Sequence, residues 1–300
     1  MAHARSLATP GDIAQMLALA ARYPRHTASV MDLPYRLASA ALHGTPIPNA
    51  CRWLDGGELV GWCAWQPAWS ELDYAVHPDH SASLGPEILA WATVRVEAAA
   101  RLDRDLTAWW VGCRPDDATR TRHLEAAGFV REPWKKARFE SSLVDHVPTP
   151  TVPAGFTIRP IQGESEVEAY VTAHRAAFGS ARMTVQWRRR TLAMPGHSPD
   201  LDLVAEAPGG AVAGFAVLWL GRIGLGGDLE AQVEPVGVRP EFRGLGLARA
   251  LLLEGMRRAR AAGARRANVE AYSFDEAACA LYEPLMPERG QETWYYKRAP

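Results

Sequence analysis

The sequence contains no apolar run near the roughly 18 residues that a membrane-spanning helix needs. Its four cysteines, Cys51, Cys63, Cys113 and Cys279, form no CxxC pair. That argues against a zinc ribbon or a disulfide scaffold and fits reduced thiols in a cytoplasmic protein. Charge of one sign is not in surplus: 33 Lys and Arg stand against 34 Asp and Glu, a formal net charge of −1. A general polyanion binder is usually basic, so nucleic acid gains no support. The histidines form no HExxH or other metal spacing, which leaves no metal site expected. Gly-x-Ser-x-Gly is also absent, so no hydrolase elbow is suggested.

What is present is an ordinary globular balance, 48% hydrophobic and 22% charged over 300 residues, enough for about two domains that need no staples. Near the start, Pro10-Gly11-Asp12 leads into Ile13, Met16, Leu17 and Ala20 at helical spacing. This reads as a capped amphipathic helix rather than a secretory signal. Pro148, Pro150 and Pro153 hold the backbone extended and mark a linker over 148–153. The halves are then 1–147 and 154–300.

The two halves repeat one pattern. Cys51–Trp65 and Leu203–Trp219 both read as strand, Gly-Gly turn, strand, the signature of a hairpin. Ala75-Val76-His77-Pro78-Asp79 matches Gly237-Val238-Arg239-Pro240-Glu241, and an amphipathic helix pattern follows each. Leu124 falls where the second half has Tyr282. Hairpins around one central βα step predict a mixed α/β (α+β) fold: two tandem domains, each a mixed sheet flanked by helices. Eight of the eleven tryptophans lie in the first half, at positions that suit core or interface.

The stretch from Val233 to Leu253 carries the chemistry. A strand-like run ends at Pro240, a turn with Gly244 and Gly246 follows, and Leu245, Ala248, Leu252 and Ala259 then recur at helical spacing. Gly263 stands where a helix would end. The first amides of a helix lack partners and its dipole is positive there, so strand, glycine turn and helix make an anion site. Arg243 adds a nearby positive charge. The plain alternative is a tight βα turn whose glycines serve geometry alone. No Gly-Lys-Ser/Thr follows, so this is not a Walker loop, and Arg249 stands where a dinucleotide turn has its third glycine.

Arg243-Gly244-Leu245-Gly246-Leu247-Ala248 resembles the R/Q-x-x-G-x-G/A signature of the GNAT family of N-acetyltransferases. Val236-Gly237-Val238 resembles that family's bulged strand, and Asp275–Glu283 its late N-x-x-A-x-x-L-Y-E helix. These motifs cover about residues 203–297, and the whole chain is similar to tandem members of the family. The resemblance implies that Arg243, Gly244, Leu245, Gly246, Leu247 and Ala248 bind the pyrophosphate of acetyl-CoA and that Val236, Gly237 and Val238 pair with its pantetheine arm. It implies Tyr282 as the acid that protonates the leaving thiolate. A core tyrosine with its hydroxyl at the sheet edge is the plain reading of the same residue. Asp275 replaces the usual Asn, and Pro284 should end or kink the last helix. Opposite Arg243, Gly244, Gly246 and Ala248 the first half has Ser81, Ala82, Leu84 and Pro86. The first half is therefore expected to be a GNAT-like fold without phosphate turn or acid, serving as scaffold, cleft wall or subunit contact.

Glu234 is the candidate base. Glu230, Gln232 and Glu234 alternate and share one sheet face if the strand is regular, although Pro235 favours a bulge. A solvated edge carboxylate is the competing reading. Backbone amides of Gly237 and Val238 are the expected oxyanion donors. His77, His80, His174 and His197 read as surface or turn residues, and Arg188-Arg189-Arg190 as a solvated helix face. The expected activity is acetyl-CoA-dependent N-acetyl transfer to a primary amine of a small molecule, without metal, membrane or nucleic-acid partner, in a monomer or homodimer. A non-catalytic acyl-CoA-binding tandem protein is the alternative.

Overall fold

The computed structural model describes residues 3–28, 30–39 and 49–300. The first half runs β1 (Ala4–Leu7), α1 (Ile13–Arg22), α2 (Leu33–Leu37), β2 (Ala50–Asp55), β3 (Glu58–Gln66), β4 (Glu71–Val76), α3 (Ser81–Leu102), β5 (Trp109–Cys113), α4 (Ala118–Ala126) and β6 (Val130–Ser142). The second repeats that order with β7 (Thr157–Pro160), α5 (Val167–Phe178), α6 (Val185–Leu192), β8 (Asp202–Glu206), β9 (Val212–Arg222), β10 (Leu229–Val238), α7 (Leu247–Ala261), β11 (Arg266–Tyr272) and α8 (Glu276–Tyr282). A short β12 (Glu288–Arg289) precedes the closing β13 (Thr293–Arg298). The fold is mixed α/β, as expected. Among the described residues no helix is long and apolar enough to cross a membrane.

Local chemistry accounts for the elements. Thr9 N–H donates to Asp12 Oδ2 at 2.7 Å and Pro10 begins the turn, so α1 starts where its apolar stripe of Ile13, Met16, Leu19 and Ala20 goes under. Gly56 and Gly57 (φ +58° and +90°) close the β2–β3 hairpin, and Gly209 and Gly210 (φ +97° and +87°) close β8–β9. Both turns need positive φ at two successive positions, which glycine adopts without strain.

The sheet runs β1-β2-β3-β4-β5-β13-β6-β11-β10-β9-β8-β7, with β12 pairing β6. Only the β4–β5 and β10–β11 steps are parallel. The last strand of each half crosses to the other: β13 pairs β5, while β6 pairs β11 from Arg266↔Ser142 to Tyr272↔Lys136. β6 and β13 also pair with each other, so one sheet passes through both halves. A shared core seals the junction, with Met16, Leu33 and Trp62 in one cluster with Tyr170, Trp187 and Phe215. The segment 148–153 lies outside any helix or strand.

Three sequence readings need correction. Arg188 is fully buried and pairs with Asp202, because successive residues on α6 point about 100° apart and cannot all face water. Arg189 does face solvent, where it pairs with Glu164. His197 ends a turn, as one half of its reading had it, its N–H closing on Met194 O at 3.1 Å, but its side chain is buried against the same Asp202 at 2.8 Å; His174 is buried on α5.

Candidate active site

β10 and β11 are paired as far as Val233↔Val269 and no further, although both strands continue. On its other edge β10 carries a bulge: Val233 faces Leu218 but Val236 already faces Ala216, one extra residue on the β10 side. Trp219 Nε1–H takes up the Glu234 carbonyl at 2.7 Å. The Glu234 side chain then projects into a cavity of ≈ 290 Å³ where the strands part. Tyr282 lines the same cavity from α8. The two residues proposed from sequence as base and acid are thus brought together. Glu230, on the same strand face, is held instead by Arg138 at 3.2 Å.

Past the bulge, β10 runs into the glycine turn. Arg239 N–H donates to Ala213 O at 2.9 Å, so alternation turns Gly237 N–H toward β9 as well. The open edge presents the N–H groups of Val236 and Val238. This removes Gly237 as an oxyanion donor; its glycine is explained by packing, since a Cβ would lie 2.7 Å from Phe215 and 3.0 Å from Ala177. Gly244 and Gly246 have φ of +77° and +83°, and a Cβ on either would meet nothing within 4 Å. They are required by backbone conformation, and the space over them is free for a ligand. Gly246 caps α7, a helix of 15 residues whose first amides face that space. Arg243 does less as a free charge than expected: its Nε–H binds Val238 O (3.2 Å) and its Nη2–H binds Ala177 O (2.7 Å), clamping the turn to β10 and α5. Leu245 is exposed, Leu247 is buried under the turn and Ala248 is half-buried. The donor set fits a diphosphate.

The first half has no counterpart. After the turn at Pro78–His80, α3 begins at once, and Ser81, Ala82, Leu84 and Pro86 all lie inside it. The cap of the last helix is retained in both halves: Asp117 accepts from Arg120 N–H and Asp275 from Ala278 N–H at 3.0 Å. Asp275 therefore does the capping work of the expected Asn. Pro284 ends α8 as anticipated, and the N–H groups of Leu285 and Met286 both reach Tyr282 O.

Electrostatics divide the two reacting groups. Burial pushes the Glu234 carboxyl up to about 7; Lys136 pulls it down, and Asp32 and Glu270 add to the rise. Burial also pushes the Tyr282 phenol well up, and the Glu234 charge is the next cause. Tyr282 stacks edge-on to Phe139 at 5.8 Å.

Three cavity residues went unnoticed in the sequence: Asp32 and Arg36 around α2, and Lys136 on β6. All belong to the first half and reach the site through the exchanged strand and the shared core. Arg36 is fixed by Asp73 (Nε–H, 2.8 Å) and Glu71 (Nη2–H, 2.7 Å) and lies 4.6 Å from the Trp69 ring. Asp32 is buried, which raises its carboxyl to about 6. His174, beside this site, bonds the Tyr35 hydroxyl at 3.1 Å, and burial lowers it to about 3, so it stays neutral. Among the described residues, His3, Asp55 and His80 bring donor atoms within 4.8 Å of one another, outside the cavity.

Residues 167–285 match the model of the acetyltransferase (GNAT) family. A mycothiol acetyltransferase of Thermobispora bispora is 29% identical, with 97% of each chain covered. One of Nocardiopsis dassonvillei is 27% identical over 77% of this chain and 76% of its own. Among solved structures, a GCN5-related N-acetyltransferase from Sphaerobacter thermophilus superposes with a TM-score of 0.64 at 20% identity, covering 99% of this chain and 95% of that one. A tandem GNAT protein from the clavulanic acid biosynthesis pathway gives 0.63 at 17% identity, with 99% and 98% covered. These last two are likenesses of fold. Residues 167–285 thus carry an acetyltransferase domain of the GNAT type, in a chain that is similar over nearly its full length to mycothiol acetyltransferases and has the fold of tandem GNAT proteins.

Proposed function

We propose that the protein moves the acetyl group of acetyl-CoA to the primary amine of a small molecule by direct attack on the thioester. The observation that carries this reading is the meeting of Glu234 and Tyr282 in one cavity, at the point where β10 leaves β11 and runs on to the glycine turn. In this reading Val236, Gly237, Val238 and the turn from Arg243 to Ala248 hold acetyl-CoA. The two repeats, 1–147 and 154–300 joined by 148–153, divide the work: the second binds acetyl-CoA, and the first closes the acceptor side with Asp32, Arg36 and Lys136.

The steps follow from the charges. An amine arrives largely as ammonium and must lose a proton; a carboxyl near 7 is matched to take it at neutral pH. The amine attacks, and the Val238 N–H is positioned for the developing oxyanion. Tyr282 keeps its proton until negative charge grows on sulfur. Once Glu234 has been neutralised by the amine's proton, one cause of the raised phenol pKa is gone, and Tyr282 becomes the better acid. Base and acid thus act in sequence: as the C–S bond breaks and Tyr282 protonates the sulfur, the adduct nitrogen gives up its second proton to the Tyr282 phenolate, and Glu234 releases its proton to solvent.

Incubation with acetyl-CoA and a panel of amines, with CoA release and acetylated product followed together, tests the proposal. The relatives' name puts the amine precursor of mycothiol on the panel beside aminoglycosides, polyamines and amino acids. Acetyl-CoA binding without an acetylated product from any amine would refute it.

A further inference from the structure

Lys136 is a cation with its hydrogen-bonding capacity unspent. It sits in the middle of the sheet, opposite Tyr272 on one side and Thr293 on the other. Its Nζ lies 5.0 Å from the Tyr272 ring and 5.7 Å from the Tyr295 ring. Among the described residues its ammonium makes no hydrogen bond or ion pair, and the remaining residues of the chain include no Asp or Glu. The other cations near the cavity are committed. Arg36 is held by Glu71 and Asp73. Arg114 binds Thr293 Oγ1 at 2.9 Å and the carbonyls of Gln291 and Ala28 at 3.0 Å. Glu71 is spent as well, since Arg36 takes one oxygen and the Tyr272 hydroxyl the other at 3.0 Å. A half-buried ammonium with three free donors at the wall of a cavity is open to an anionic partner. Burial alone would lower the Lys136 ammonium, yet its surroundings hold it well above the ordinary value, so it remains charged.

Apart from Arg36, whose charge Glu71 and Asp73 already balance, the other charged groups of the cavity are acidic: Glu234 faces the acetyl site, and buried Asp32 leaves Oδ1 without a partner. Acid on one side and a free cation on the other suit a zwitterion. We propose that the acceptor amine also carries a carboxylate and that Lys136 binds it; this rests on the acetyl-transfer reading above. A monoanion matches Lys136, the one cation lining the cavity that is free among the described residues. A phosphate dianion would face Asp32, Glu234 and Glu270 with Lys136 and an Arg36 already paired to Glu71 and Asp73 to offset it.

The test compares each of leucine, phenylalanine and lysine with its amide as acceptor, using acetyl-CoA and the full chain. The amide keeps the shape and removes the charge. The wild type should favour the free acids in kcat/KM, and Lys136→Met should erase that preference, a change of about 10–100-fold in the acid-to-amide ratio, the worth of a hydrogen bond to a charged group. Lys136→Arg should retain it. Removing Lys136 also shifts Glu234, but that effect is common to both members of a pair and cancels in the ratio. Acetylation of amines with no preference for the acid, or a preference that survives Lys136→Met, overturns the inference and leaves acetyl transfer standing. Acetylation of a carboxylate-free amine alone does the same. Failure of every amine, with acetyl-CoA still bound, overturns both.

Discussion

Replacing Glu234 by Gln should stabilise the protein in alkaline solution while disabling it. The folded chain holds this proton up to about 7, whereas the unfolded chain releases it near 4.5. Between those values the folded state binds more protons, so stability is full below about 4.5 and falls as pH rises to about 7. At about 1.4 kcal/mol per pH unit the full loss is about 3.5 kcal/mol, of which roughly 2.5 falls between pH 5 and pH 8.5. Gln does not titrate and escapes this loss. Urea denaturation of wild type and Glu234→Gln at pH 5 and pH 8.5 isolates the term, because the steric cost of the change is the same at both. The variant should gain on the order of 2–3 kcal/mol on the wild type between the two. If their difference in stability is equal at both pH values, Glu234 titrates as an ordinary solvated carboxylate and is no tuned base. The wild-type rate should correspondingly rise with pH through about 7, as the carboxyl loses its proton.

Tyr282→Phe should leave acetyl-CoA affinity unchanged in calorimetry and lower kcat and kcat/KM together by about 10²–10⁴, since only a transition-state proton is removed. Gly246→Asp strains the backbone at φ +83° but meets nothing within 4 Å, so it should fold at some cost in stability yet lose acetyl-CoA binding through charge placed in the cradle; near-normal affinity would disprove the assigned turn. Calorimetry on the wild type should give one acetyl-CoA site per chain, as α3 fills the place of the second turn; two sites would contradict this. Tyr296→Ala removes a buried ring that β13 lends to the first half's core and should cost about 3–5 kcal/mol, with the fluorescence of both halves lost in one denaturation step. Two separated steps would count against the interlocked sheet.

Much of this was readable locally. The stripe from Ile13 to Ala20 gave α1, the Gly-Gly pairs gave both hairpins, and the glycine turn before Leu247 gave the start of α7. The bulge at Pro235 was signalled by the proline itself. What escaped depends on distant pairing. Nothing in Thr293–Arg298 says that it will lie beside Trp109–Cys113, because β pairing is set by partners far along the chain. Lys136 looks like any polar residue of a long strand until β11 and β13 flank it. Asp32 and Arg36 surround a five-residue helix too short to show a period. Arg188 and His197 were misread because their partner, Asp202, lies on a different element from the arginine run.

The central claim is that Glu234 and Tyr282 act as one unit in one cavity. The most direct measurement is kcat/KM for Glu234→Gln, Tyr282→Phe and the double variant, on whichever amine the wild type acetylates best. In this account base and acid act in successive steps of one reaction and the slower impaired step sets the rate, so the losses should not multiply: the double variant should be about as slow as the slower single variant. Losses that multiply would mean that the two side chains act independently, and full activity in either single variant would remove that residue from the reaction.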